Sequence, residues 1–196
     1  IPAISIHESK IARHLSEAIQ IRTISKVNAS DVDQQPFIEI RDWIEKTYPL
    51  LGSELERTVV NEYSLLLKWK GSQSKLAPVL FYAHLDVVPV AEKTLDEWDN
   101  EPFSGKIKNG FVWGRGTQDM KNQLVALLES VEGLLKEGYA PKRTIYLAFG
   151  HDEEISGFQG GKKIAEKLKS QSVKLAAVLD EGGMLTQGMM VGVDEP

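Results

Sequence analysis

The sequence predicts an α/β fold, a central sheet covered by helices on both faces, and three observations predict it. Short apolar runs of strand length alternate with longer segments whose apolar residues recur at helical spacing. The later apolar runs each stop at a cluster of acids, histidine and glycine, where open α/β sheets carry their ligands. The composition, 42% hydrophobic and 26% charged over 196 residues, suits a chain that buries one substantial core.

Over residues 4–21, Ile4, Ile11, Leu15, Ala18 and Ile19 mark one face of an amphipathic helix, and over 36–48 Phe37, Ile40, Ile44 and Tyr48 mark a second. His7 and His14 lie two turns apart on the first helix, with no neighbouring acid cluster, and read as surface histidines. The polar, turn-rich residues 23–35 form a surface connection. Residues 64–70 and 78–83 read as strands, the second apolar enough to be buried on both faces. A long irregular stretch follows, in which Trp98, Phe103 and Trp113 either line a cleft or pack the segment. Leu124, Leu127, Leu128, Val131, Leu134 and Leu135 define a strong helix ending near Gly138, and Pro141 bars its continuation. Residues 144–149 and 175–179 are again strands, with a helix over 161–169 between them. No internal repeat divides the chain, so one domain is expected.

Composition also excludes. A formal charge of −5 with no basic block gives a nucleic-acid backbone no footing. No apolar run is long enough to cross a membrane. The chain has no cysteine, so a catalytic nucleophile has to be oxygen-based or metal-generated. Arg115 sits between Gly114 and Gly116, but the glycine spacing matches neither the dinucleotide nor the Walker pattern. The sequence opens on Ile1 rather than Met, which predicts residues upstream.

The chemistry sits at the strand ends. The strand ending at Ala83 runs into His84-Leu-Asp86, the one ending at Phe149 into Gly150-His-Asp-Glu153-Glu154, and the one ending at Leu179 into Asp180-Glu-Gly-Gly183. A fourth cluster, Gly114-Arg-Gly-Thr-Gln-Asp119-Met-Lys121, opens the strong helix. So much acid with few basic partners calls for a divalent cation, and imidazole with carboxylates is an ordinary zinc set. His84 and Asp86 have the spacing of a ligand and the carboxylate that orients it. Adjacent Glu153 and Glu154 point different ways, so one can hold metal while the other serves as general base.

In order and approximate separation, these four motifs resemble those of the M20 zinc metallopeptidases, the carboxypeptidase S type most closely, and the resemblance covers nearly the whole chain. It implies a zinc-peptidase-like catalytic domain with a mixed, largely parallel central sheet flanked by helices. His84 and Asp180 would bind one zinc, Asp119 would bridge two, Glu154 would bind the second, Glu153 would be the base and Asp86 would support His84. Three carboxylates against two Zn²⁺ leave a net positive site that favours an anionic nucleophile. A cis peptide is implied at Asp119–Met120. The implied reaction is hydrolysis of a short peptide or N-acyl amino acid to release its C-terminal residue. Alternatives are a non-catalytic metal-binding or interaction domain and an M20 deacetylase or desuccinylase. By the same resemblance residues 1–196 form the N-terminal part of the catalytic domain. The lid and dimerisation domain, a C-terminal catalytic segment and a further histidine ligand then lie beyond Pro196. That predicts homodimerisation through the lid and poor activity for these residues alone; His151 is the one spare histidine near the motifs. Vacuolar or secreted relatives of this type make an extracytoplasmic setting compatible.

Overall fold

The structure, a computed structural model, describes residues 2–182. Helices α1 (Glu8–Gln20), α2 (Gln35–Thr47) and α3 (Pro49–Glu54) lead into β1 (Glu56–Val60), β2 (Ser64–Trp69) and β3 (Val79–His84). After a long connection come the short strands β4 (Lys106–Lys108) and β5 (Phe111–Trp113), then α4 (Asn122–Lys136), β6 (Ile145–Gly150), α5 (Gly161–Ser170) and β7 (Ala177–Leu179).

The main sheet is mixed, in the order β1-β2-β6-β3-β7. The three strands that end at acidic motifs run parallel, with β3 between β6 and β7, while β1 and β2 pair antiparallel on the β6 side. Both faces are covered, as expected. Leu65, Leu67, Trp69, Leu147 and Phe149 project into a core with α2, α3 and α4. Their neighbours Leu66, Tyr146 and Ala148 project the other way, onto Ile164 and Leu168 of α5. Alternation across a sheet buried on both sides is why these strands read as continuous apolar runs.

Several elements differ from the expectation. The first helix begins at Glu8, after His7 as N-cap, and Ile4 precedes it, packing over Gly133 of α4. Strand β1 was not anticipated from its polar sequence, because it is an edge strand whose first two residues are exposed. The stretch read as irregular contains the β4–β5 hairpin, turned by Asn109 and Gly110 with φ of 56° and 80°. Asn-Gly is the common two-residue hairpin turn and was a usable signal. Helix α3 is capped from outside: buried Glu132 of α4 accepts the Leu50 and Leu51 N–H groups at 3.4 and 3.2 Å, which the first turn leaves unpaired.

His14 is a correction. It is buried, not on the surface, because Glu129 of α4 pairs with its Nδ1 and the Tyr48 hydroxyl lies 3.3 Å from the same atom. The acid that joins it is distant in sequence, so inspection of the first helix could not reveal it. His7 is exposed.

Candidate active site

Register sets the site. His84 ends β3 directly opposite Gly150 of β6, which brings the first two motifs to one sheet edge. The His84 side chain is fully buried. Its Nδ1–H donates to the Asp86 carbonyl oxygen at 2.9 Å and lies 3.3 Å from the Asp86 carboxylate, which directs Nε2 outward. Asp86, also fully buried, does more than orient the ring: its two oxygens accept the backbone N–H groups of Glu153 and Glu154 at 3.1 and 3.2 Å. One carboxylate therefore fixes the histidine and the turn carrying the two glutamates.

Asp119 approaches from the opposite side. Its loop passes close over the strand end at Gly116, where φ is +84° and a Cβ would fall 2.5 Å from Val87 Cγ1. The Asp119–Met120 peptide is cis, as the motif resemblance implies. Asp119 Oδ1 lies 2.9 Å from His84 Nε2, and Glu153 Oε2 lies 3.8 Å from the same nitrogen. Lys121, to which the sequence reading gave no role, is fully buried and donates to the carbonyls of Ala18 and Ile21 at 2.9 and 2.7 Å. It thereby satisfies carbonyls left open at the end of α1 and ties the Asp119 loop to that helix. Burial pushes its ammonium pKa down to about 7. A lysine among so many acids was the available signal.

The remaining polar residues of the β6 motif face elsewhere. Asp152 is buried and accepts the Gln159 and Gly160 N–H groups, both at 2.7 Å, anchoring the start of α5. His151 pairs with the Ser64 hydroxyl at 2.7 Å between the rings of Phe37 and Tyr63, and burial lowers its pKa. It does not join the acid cluster.

Asp180 stands apart from the cluster for a reason of register. Leu179 pairs with Phe81, so Asp180 leaves β7 level with Tyr82 rather than with His84. Its carboxylate accepts the Glu181 N–H at 2.8 Å and lines a cavity with Tyr82 and Glu153. Glu181, not singled out in the sequence, reaches His84 and Glu153 instead. Gly183, the last residue of that motif, lies outside the described residues. Of the irregular segment's aromatics, Trp98 and Trp113 line a cleft with Arg115, whereas Phe103 is buried under Arg22.

The donor set fits a divalent cation. Ligand atoms of His84, Asp119 and Glu154 lie within 4.8 Å of one another, as do those of His84, Glu153 and Glu181. Among the described residues, no lysine or arginine pairs with Asp119, Glu153 or Glu154. Burial and then the neighbouring Asp119 push the Glu154 carboxyl above the usual range, and Glu181 shifts upward for the same two reasons. Burial disfavours a charged His84, but hydrogen bonds and charge from Asp86 and Asp119 outweigh it and carry the imidazole up to about 9. A divalent cation held by neutral imidazole and these carboxylates would offset the same crowding of acids.

The comparisons agree with this geometry. The family model described as Peptidase family M20/M25/M40 matches residues 80–194. The chain is 41% identical over 189 residues to the N-fatty-acyl-amino acid synthase/hydrolase PM20D1 of Xenopus tropicalis, covering 95% of this chain and 36% of that protein. It is 40% identical over 177 residues to carboxypeptidase S of Saccharomyces cerevisiae, covering 86% of this chain and 31% of the relative. The chain therefore spans about a third of the length of these relatives. The solved M20 family metallo-carboxypeptidase Sso-CP2 from Sulfolobus solfataricus superposes with a TM-score of 0.69 at 25% identity, over 92% of this chain and 38% of that one. With the family model running from β3 through both glutamates and beyond β7, the chain belongs to peptidase family M20/M25/M40.

Proposed function

We propose that the native protein is a dinuclear zinc hydrolase that cleaves the amide bond of a short peptide or N-acyl amino acid and releases the C-terminal amino acid. The observation that carries this reading is the convergence of His84, Asp119 and Glu154, within 4.8 Å and with no lysine or arginine partner among the described residues, beside a second acid, Glu153. His84, Asp119 and Glu154 would hold metal, with Asp180 completing the set by resemblance. Zinc bound there would supply Lewis acidity toward the amide carbonyl and toward water.

The residues of the chain divide the remaining work. Asp86 holds the His84 ring with Nε2 outward and, through two backbone N–H groups, keeps Glu153 and Glu154 in register with it. The Glu153 side chain, 41% exposed, stays open beside His84, where its carboxylate can take a proton from the attacking water and return it to the leaving amine. Support for the substrate class comes from relatives named as carboxypeptidase S and as an N-fatty-acyl-amino acid synthase/hydrolase.

The test is metal content by elemental analysis together with hydrolysis of an N-acyl amino acid and a dipeptide by the native protein. Two zincs per chain and turnover reduced about 10²–10⁴-fold in Glu153→Gln, with metal content unchanged, are expected. Metal uptake with no turnover on either substrate would move the non-catalytic metal-binding reading ahead.

A further inference from the structure

Two cavities flank the acid cluster. One, of about 740 Å³, lies between α5 and β7 and has Glu153 and Asp180 in its wall. The other, of about 690 Å³, is bounded by described residues throughout and has Asp119 in its wall. This second cleft is built by the segment first read as irregular: Trp98 precedes the hairpin, and Phe111 and Trp113 stand on β5 with their rings 6.2 Å apart. The Trp113 Nε1–H donates to the Lys108 carbonyl at 3.2 Å across the hairpin, which holds that ring in place. The Arg115 guanidinium lies 5.4 Å from the centre of the Trp98 ring. Phe111 is 66% exposed, a large apolar surface left open next to a polar centre.

We infer that this aromatic cleft receives the acyl chain of an N-acyl amino acid whose amide lies at the Asp119 cluster. The inference rests on the hydrolase reading above and adds which end of the substrate goes where. Such a substrate has a hydrocarbon end and a carboxylate end. In the cleft Glu97 and Asp99 face one cation, Arg115, apart from Asp119, which belongs to the metal set. A carboxylate would enter against that net negative charge, whereas a hydrocarbon chain meets ring faces and covers Phe111. The volume lies within the range of small-molecule pockets, and Asp119 in its wall makes it continuous with the reacting centre.

The experiment uses the native protein and one amino acid acylated with acetyl, octanoyl or lauroyl chains. Wild-type kcat/KM rises with chain length, and Phe111→Ala lowers the lauroyl-to-acetyl ratio about tenfold, as loss of one ring contact predicts. Phe111→Leu restores most of that ratio. Binding is read separately from turnover in the Glu153→Gln protein, through the change in tryptophan emission on titration with each of the three acyl compounds. Chain-length-dependent affinity that weakens on adding Phe111→Ala supports the assignment, even if no amide is hydrolysed and the hydrolase reading fails. Turnover whose chain-length ratio Phe111→Ala leaves unmoved overturns the assignment while the hydrolase reading stands. A uniform rise in KM at every acyl length in that variant gives the cleft to the amino-acid end and equally overturns it.

Discussion

Asp86 and Asp152 come from the motifs that follow β3 and β6, the latter shared with Glu153 and Glu154, while Asp119 comes from the loop before α4; the buried pair and the other three acids live under opposite conditions. The first pair is buried and each accepts two backbone N–H groups, which makes them fasteners of β3 to β6 and of β6 to α5. The second group is open, with side-chain exposures of 64% for Asp119 and 41% for Glu153, and among the described residues Asp119 and Glu153 pair with His84 and with no lysine or arginine. An acid with its acceptors filled is structural, and an acid with its acceptors open is available to a cation or a proton.

The comparison can be broken most severely at Asp86. Asp86→Ala leaves two buried N–H groups unpaired and removes the carboxylate beside the imidazole, which keeps only its bond to the backbone carbonyl, so a loss of about 3 kcal/mol in urea denaturation is expected, together with weaker zinc binding in a competitive chelator titration. A variant that kept wild-type zinc affinity would show that Asp86 does not set the site. Asp152→Ala should cost about 2 kcal/mol by the same denaturation assay but leave zinc affinity near wild type, because its partners are at the start of α5. Asp119→Asn should reverse the pattern. Zinc affinity falls by at least about tenfold, while the stability of the metal-free protein changes by less than about 0.5 kcal/mol, because relief of the acidic neighbour Glu154 is offset by a weaker pair with His84. Calorimetric melting with and without chelator separates the two effects.

The smallest effect is expected at Glu129, a half-buried acid outside the site. Burial pushes its carboxyl up, but the hydrogen bond from His14 and the charge of Lys10 dominate and hold it below the ordinary value. A depressed folded-state pKa stabilises the protein above the unfolded pKa, and this contribution disappears as pH falls through the folded value. Glu129→Gln should therefore lose about 1 kcal/mol at pH 7, with the gap to wild type closing below about pH 4. A gap that stayed constant down to acid pH would assign the loss to packing instead.

What was legible in the sequence followed from locality. The strands over 64–69, 79–84 and 145–150 announce themselves through short apolar runs, and acids follow the last two within a few residues. The site residues His84, Asp119, Glu153 and Glu154 were nameable because motif order carries them to one sheet edge. What was missed depends on partners far along the chain or on register. Glu129 meets His14 across more than a hundred residues, and Glu132 caps α3 from α4. Glu181 reaches the cluster while Asp180 stands aside, because β7 stops pairing with β3 at Phe81 whereas β6 runs on to His84. Lys121 could not be given a role until α1 was seen to end beside it.

Lys121 has a practical consequence. Its Nζ is sealed between two carbonyls and its residue has no solvent exposure, so an amine-reactive label has no path to it in the native protein. Exposed neighbours such as Lys106 and Lys108 on β4 modify freely. Labelling at residue 121, read by peptide mass, therefore works as a clock for the opening of the α1 anchor: it starts when the Asp119 loop lets go of the helix, whatever the rest of the surface has already done.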